Sequence, residues 1–148
     1  MQDTKALINE LLVEIFNRIL TVEGEALKKE GIRLSMSEVH VLEAIDNLQE
    51  PSMSNISQKL GITAGSLSVS INTLFQKGYV RRYHDHEDRR KVLIALEQKG
   101  LDVLSVHTIF HDKMIEAIFQ DLRIEEDEVL VQSLRKVSEY FKSYPVAE

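Results

Sequence analysis

The sequence predicts a mainly α-helical chain carrying one small β-hairpin, and three observations lead there. Apolar residues recur three and four apart in segments at both ends of the chain. In the middle, the short connection Gly61-Ile-Thr63 separates two brief helical segments. After Gly78 the pattern turns β-branched and aromatic on either side of a charged stretch.

Each element follows in order. The pairs Leu7/Ile8, Leu11/Leu12, Ile15/Phe16 and Ile19/Leu20 lie four residues apart and form one apolar stripe on a long first helix ending near Gly31. Ser35-Met-Ser-Glu38 is a capping-box sequence, with Ser35 as N-cap of a second helix running to about Leu48. Pro51-Ser52 opens a third helix, Met53 to Leu60, which Gly61 stops. Thr63 caps a fourth, Ala64 to Lys77, ended by Gly78. The strands are Tyr79–Tyr83 and Lys91–Leu96, joined by the polar segment His84 to Arg90. Another long helix begins at Gly100 or its neighbours, with Leu101, Leu104, Ile109, Phe110, Met114, Ile118 and Leu122 as its apolar positions. Glu125-Glu-Asp-Glu128 sets four carboxylates at the start of a last helix, where the helix dipole favours them, and Leu130, Leu134, Val137, Phe141 and Tyr144 form its stripe. Four helices, a hairpin and two helices make a winged helix-turn-helix between terminal helices. The expected parts are an N-terminal dimerisation helix (1–34), a DNA-binding domain (35–98) and C-terminal dimerisation helices (99–148). The terminal helices carry more apolar surface than the small central domain covers, so a symmetric homodimer is expected.

Composition removes several classes. A chain of 148 residues, 43% hydrophobic and 28% charged with six Gly and two Pro, is globular and long enough to bury a core. Its longest apolar run, Val92 to Leu96, is far short of the roughly 20 residues of a membrane helix. No cysteine is present, which excludes disulfide scaffolds, thiolate nucleophiles and Cys-ligated zinc. The segment Met1-Gln-Asp-Thr-Lys-Ala lacks the features of a secretory signal, and a cytoplasmic protein is expected. There is no Gly-rich phosphate loop, serine-nucleophile motif or His-Glu-x-x-His, so an enzyme is not expected.

The net charge of −6 conceals a polarity along the chain. Residues 51–100 hold 8 basic and 4 acidic groups, a balance of +4, whereas residues 1–50 and 101–148 each hold 5 basic and 10 acidic groups, −5 apiece. Lys77, Arg81, Arg82, Arg89, Arg90 and Lys91 fall within fifteen residues just after the fourth helix. That distribution suits nucleic acid better than the total does.

At about 100° per residue, Leu67, Ile71 and Leu74 share a narrow wedge of the fourth helix that must face the core. The opposite side presents Gly65, Ser66, Val69, Asn72, Thr73 and Gln76, with Ser68 at its edge. Small, methyl-bearing and amide groups suit base edges: the Val69 and Thr73 methyls against a thymine methyl, Asn72 or Gln76 against adenine. Such a helix specifies sequence while basic neighbours hold phosphates. The expected DNA ligands are Thr63, Gly65, Ser66, Ser68, Val69, Asn72, Thr73, Lys77, Arg81, Arg89, Arg90 and Lys91. Arg89 or Arg90 would enter the minor groove, with Asp88 pairing Arg90 so that Arg89 projects. The competing reading is a solvated helical face and a wing whose arginines pair locally. A winged-helix protein-interaction module is a further class. It would lack the loss of about a thousandfold or more in affinity that added salt imposes on a protein neutralising about six phosphates.

Leu34-Ser-Met-Ser-Glu38, Ile56-Ser-Gln-Lys-Leu-Gly-Ile-Thr63, Leu74-Phe-Gln-Lys-Gly-Tyr-Val80 and Asp85-His-Glu-Asp-Arg-Arg-Lys-Val-Leu-Ile-Ala-Leu96 resemble the MarR family of bacterial transcriptional regulators. The wing pattern Asp-x-x-Asp-x-Arg matches Asp85, Asp88 and Arg90. Glu97 departs from the family's usual Thr and is a poorer helix cap. The resemblance implies a homodimeric repressor on a pseudo-palindromic double-stranded operator, its recognition helices about 34 to 36 Å apart. Ile15-Phe-Asn17, Met36-Ser-Glu-Val-His40, Gly65 to Asn72, Lys77-Gly-Tyr79 and Phe110-His-Asp-Lys-Met114 are similar to the FabT-type repressors of fatty-acid synthesis within that family. That likeness implies tighter operator binding with a long-chain acyl group delivered on acyl carrier protein. The implied effector pocket comprises Leu12, Phe16, Leu20, His40, Phe110, His111 and Met114; read without the likeness, its apolar members are ordinary core.

His107 and His111 are four apart on one helix face, a metal-ligand spacing, and His40 would complete a three-histidine site if its helix crosses there. These positions also look like those of zinc-sensing members of the family, although the neighbouring Val39 and Val106 supply no companion carboxylate or thiol. The alternative to a zinc-responsive repressor is that these histidines hydrogen-bond in a polar patch or border the effector pocket. His84, Asp85, His86, Glu87 and Asp88 also form a ligand-like cluster, but a hairpin tip excludes no water and is read as a solvated wing.

Overall fold

A computed structural model describes residues 2–120 and 123–144. The first element is α1 (Gln2–Glu10), a π turn (Leu11–Ile15) and α2 (Phe16–Lys29), followed by α3 (Met36–Asn47), α4 (Met53–Leu60) and α5 (Ala64–Gln76). Strands β1 (Val80–His84) and β2 (Val92–Leu96) precede α6 (Gln98–Phe119), a 3-10 turn (Ile124–Glu126) and α7 (Glu128–Ser143). Two compact units divide the chain, residues 1–108 and 109–148. The fold class is the expected one, mainly α with one antiparallel hairpin.

The first helix is not a uniform α-helix, because Leu11–Ile15 form a π turn. Glu10 and Phe16 on either side keep helical backbone angles, so the chain does not break there. The turn falls within the run of apolar pairs spaced four apart. A strict spacing of four advances about 40° per repeat on a helix of 100° per residue, and a wider turn takes part of that drift back. Leu7, Leu11, Leu12, Ile15 and Phe16 are exposed.

Local signals set the central helices. Ser35 Oγ accepts from the Glu38 amide at 3.2 Å while the Glu38 carboxylate accepts from the Ser35 amide at 2.8 Å, completing the capping box of α3. Ser52 caps α4 by accepting from the Asn55 amide, and Gly61 ends α4 with φ of 64°. Such a left-handed turn costs glycine little. The core of the first unit joins Leu27 of α2, Val39 and Leu42 of α3, Ile56 of α4, Leu67, Ile71 and Leu74 of α5, Val80 and Ile94 of the hairpin, and Val103 of α6.

The hairpin pairs Val80 with Leu96 through His84 with Val92. Pro51 extends it on the far side, its carbonyl accepting from the Ile94 amide at 2.9 Å. At the hairpin base, the Tyr79 carbonyl accepts from the Glu97 amide at 2.9 Å. Glu97 also turns its carboxylate to Arg81, 3.6 Å away, and α6 starts at Gln98. Gly100 packs against the same Tyr79 carbonyl so closely that an added Cβ would stand 2.6 Å from its oxygen.

The second unit holds the end of α6 and α7. Asp127 caps α7, its Oδ1 accepting from the Leu130 amide at 3.0 Å. The four acidic residues do not all open this helix as expected: Glu125 and Glu126 belong to a separate 3-10 turn, while Asp127 is the cap and Glu128 the first helical residue. Once Asp127 turns its side chain back on α7, its extended backbone separates the two turns. Leu130, Leu134, Val137 and Phe141 of α7, and Tyr144 just after it, are exposed. Leu122, expected on the α6 stripe, lies outside the described residues. No described helix is long and apolar enough to cross a membrane.

Two glycine substitutions should have opposite signs. Gly100→Ala is expected to destabilise the protein by about 1–3 kcal/mol, because the methyl meets backbone that has no rotamer through which to yield. Gly65→Ala, with nothing within 4 Å of its would-be Cβ, should stabilise by about 0.4–1 kcal/mol. Paired urea denaturation curves check both; equal effects would contradict the close contact at Gly100.

Candidate nucleic-acid interface

The connection between α4 and α5 is short because three local interactions close it. The Ile62 amide returns to the Ser57 carbonyl at 3.2 Å, Gly61 adopts its left-handed turn, and Thr63 caps α5 by accepting from the Ser66 amide at 3.1 Å. Thr63 Oγ1 also donates to Ser66 Oγ at 3.0 Å. Two of the anticipated ligands therefore order each other at the helix start.

Leu67, Ile71 and Leu74 are fully buried, which turns the opposite face of α5 outward. Gly65, Ser66, Ser68, Val69, Asn72 and Gln76 are exposed and Thr73 is half-buried. Val69 stands 68% exposed, an apolar branch held out on a polar face. Thr73 donates its hydroxyl hydrogen back to the Val69 carbonyl at 3.1 Å, so what it offers outward is a methyl group and oxygen lone pairs. Asn72 is engaged: its Oδ1 accepts from Arg82 Nη2, and the Arg82 guanidinium lies 4.9 Å from the centre of the Phe75 ring. Arg82 belongs to the basic cluster read from the sequence but not to the expected DNA ligands. Only the hairpin's return toward α5 brings it there.

The wing is built by its own acidic residues. Asp85 Oδ1 accepts from the Glu87 amide at 3.2 Å and Asp88 Oδ1 from the Arg90 amide at 3.0 Å, two side-chain turns that fold the tip. The Asp85 amide donates to the Lys91 carbonyl at 3.0 Å, and His84 Nδ1 lies 2.8 Å from the Arg89 carbonyl. These bonds give Asp85, Asp88 and His84 structural work. Arg90 Nε lies 3.4 Å from Asp88, the anticipated pairing, although the arginine side chain is 94% exposed and the pair is worth little in water. Arg89 forms no ion pair among the described residues.

The other anticipated phosphate ligands have protein partners. Lys77 Nζ donates to the Arg33 carbonyl at 3.3 Å and lies 3.7 Å from Glu38, tying the end of α5 to the start of α3. Arg81 faces Glu97, and Lys91 pairs with Glu50. All three pairs are at least partly open to solvent and are weak enough for a phosphate to compete.

Elsewhere in the first unit, His40 of α3 and His107 of α6 meet edge to face, 6.4 Å between ring centres. Glu43, one turn after His40, joins them: one ligand atom from each of the three lies within 4.8 Å of the others. His107 is buried and His40 half-buried. Sequence spacing missed this carboxylate by looking beside the histidines in the chain instead of one helical turn away. His111 lies in the second unit, edge-on to Phe110 at 5.9 Å. Of the residues implied for an acyl pocket, Leu12 and Phe16 are exposed, while Leu20, Phe110 and Met114 are half-buried.

Arg89→Ala is expected to weaken binding to every duplex alike and to reduce the salt dependence, whereas Asn72→Ala should change the ranking among duplexes more than the mean affinity. Fluorescence anisotropy over a salt series checks both; unchanged affinities for both variants would contradict this docking face.

The MarR family model matches residues 34–92, which run from just before α3 to the start of β2. The chain is 28% identical over 106 residues to the HTH-type transcriptional regulator SarZ of Staphylococcus haemolyticus, covering 70% of this chain and 69% of that one. It is 24% identical over 135 residues to the HTH-type transcriptional regulator PapX of Escherichia coli, covering 91% and 82%. Among solved structures it is similar to Streptococcus pneumoniae FabT in complex with DNA, with a TM-score of 0.81 and 31% identity over 93% of this chain and 97% of that one. A MarR family protein from Bacillus stearothermophilus shares the fold at a TM-score of 0.79 and 17% identity, covering 97% and 99%. With a helix-turn-helix, a basic wing and a relative at 31% identity over 93% of this sequence, this chain belongs to the MarR family of DNA-binding transcriptional regulators and is not an enzyme.

Proposed function

We propose that the protein is a homodimeric repressor of fatty-acid synthesis genes whose hold on its operator is strengthened by long-chain acyl-acyl carrier protein. The observation that carries this reading is the likeness to FabT along nearly the whole chain, at 31% identity. The dimer is supported by the exposed apolar residues of α1, the π turn and α7, which a second copy of the chain would cover. Two copies of α5 would read successive major grooves of a pseudo-palindromic operator, with the wings at the flanking minor grooves. Thr63, Gly65, Ser66, Ser68, Val69, Asn72 and Thr73 are assigned to the reading face, Lys77, Arg81 and Lys91 to the phosphates, and Arg89 or Arg90 to the minor groove. Within the first unit, Leu12, Phe16 and Leu20 are the side chains assigned to the acyl chain.

A second reading keeps the DNA and changes the signal. The grouping of His40, Glu43 and His107 favours a zinc-responsive repressor, since two imidazoles and a carboxylate are a common zinc donor set.

Equilibrium binding to duplexes from upstream of fatty-acid synthesis genes, with and without long-chain acyl-acyl carrier protein, tests the first reading. Tightening by the acylated carrier and not by the bare carrier is the expected result. Specific binding indifferent to the acyl group, but strengthened by micromolar zinc and made zinc-insensitive by His40→Ala, would replace it with the second.

A further inference from the structure

We propose that Arg82 is a positioning residue that sets the base preference of Asn72, turning its amide so that the two N–H donors face the groove and select a base edge rich in acceptors, guanine above all. The proposal rests on membership of a DNA-binding family and specifies what one side chain of the reading face recognises.

Three observations lead to it. Arg82 lies on β1 two residues after the buried Val80, so both side chains point to the face of the hairpin that meets α5. Its guanidinium lies 4.9 Å from the centre of the Phe75 ring, and Nη2 donates to Asn72 Oδ1. The planar cation thus rests on an aromatic face while one edge reaches a side chain three positions back on the same helix.

The chemistry of arginine settles the orientation of the amide. A guanidinium has donors only, so the opposite orientation of Asn72 would set N–H against N–H. With Oδ1 directed at Arg82, the Nδ2 hydrogens point away from it. The paired donor and acceptor that asparagine commonly presents to adenine N7 and N6 is then turned out of alignment. Guanine offers two neighbouring acceptors, O6 and N7, in the major groove, whereas cytosine offers only a donor. The adenine pairing expected from the amide alone is thereby replaced by a preference for acceptors, and the replacement comes from a residue outside the helix.

A positioning residue is separable from a phosphate ligand. The full-length protein would be used to select duplexes from a randomised double-stranded library, and the base pair read by Asn72 identified as the one whose preference disappears in Asn72→Ala. Wild type is expected to favour guanine there. Arg82→Met, which can still cover Phe75, should lose about tenfold in discrimination at that same pair, the size of one good base contact. Its salt dependence should stay that of wild type, and the double variant should be no less discriminating than either single one. Arg82→Lys should behave like Arg82→Met, because a single ammonium cannot stack and orient as the planar fork does. It also keeps the test informative if Arg82→Met lacks a cooperative thermal melt.

Adenine preferred at the Asn72 position would overturn the proposal. So would a salt slope reduced by about 0.9 per contact in Arg82→Met and restored by Arg82→Lys, the behaviour of a phosphate ligand. Binding of wild type without any base preference would overturn it while leaving the protein a DNA binder. Failure to bind any duplex would count against the DNA-binding reading itself.

Discussion

The burial of Leu67, Ile71 and Leu74 is the constraint on which the interface depends. These three side chains are fully removed from water on one side of α5, each contributing on the order of 1.5–3 kcal/mol of transfer free energy. The helix cannot rotate about its axis without exposing them. Everything on the opposite side is therefore held outward: the open space at Gly65, the Val69 branch, the Asn72 amide. The polar face needs no attractive interaction of its own to stay presented, and its side chains can be chosen for recognition.

Charge is managed by a separate set of residues. An acidic protein that binds a polyanion must keep its carboxylates from opposing the ligand, and here several are occupied close to the interface. Glu38 completes a helix cap and faces Lys77, Glu50 pairs with Lys91, Glu97 faces Arg81, and Asp85 and Asp88 fold the wing. These arrangements orient cations that solvent and salt only partly screen. Three of the four carboxylates within residues 51–100, those of Asp85, Asp88 and Glu97, are engaged within the protein, which is why net charge alone misrepresents this surface.

Most of the central domain was legible in the sequence because its boundaries are set by interactions within a few residues. Ser35 with Glu38, Ser52, Gly61, Thr63 and Gly78 each act over one turn, and the structure places helix limits within a residue or so of where they indicate. The π turn was legible in principle, since a strict spacing of four over four successive pairs departs from the 3.6-residue period. Each pair taken alone fits an α-helix, so only the run as a whole carries the signal. The Arg82 contact with Asn72 and the approach of Glu43 to His107 join residues ten and sixty-four positions apart. No local rule encodes such contacts. The four-carboxylate run failed differently: its charge did favour a helix start, but Asp127 could serve as cap only by leaving Glu125 and Glu126 on the preceding turn.

The Tyr79 carbonyl joins two elements that look independent in the sequence. It accepts the Glu97 amide where β2 gives way to α6, and Gly100 rests against it with no room for even a methyl group. Backbone on backbone has no slack, in contrast to an interface of long side chains that can re-pack. The base of the hairpin and the first turn of α6 consequently behave as a pinned joint. A shift in the first turn of α6 would therefore be transmitted through the Tyr79 carbonyl to the root of the hairpin.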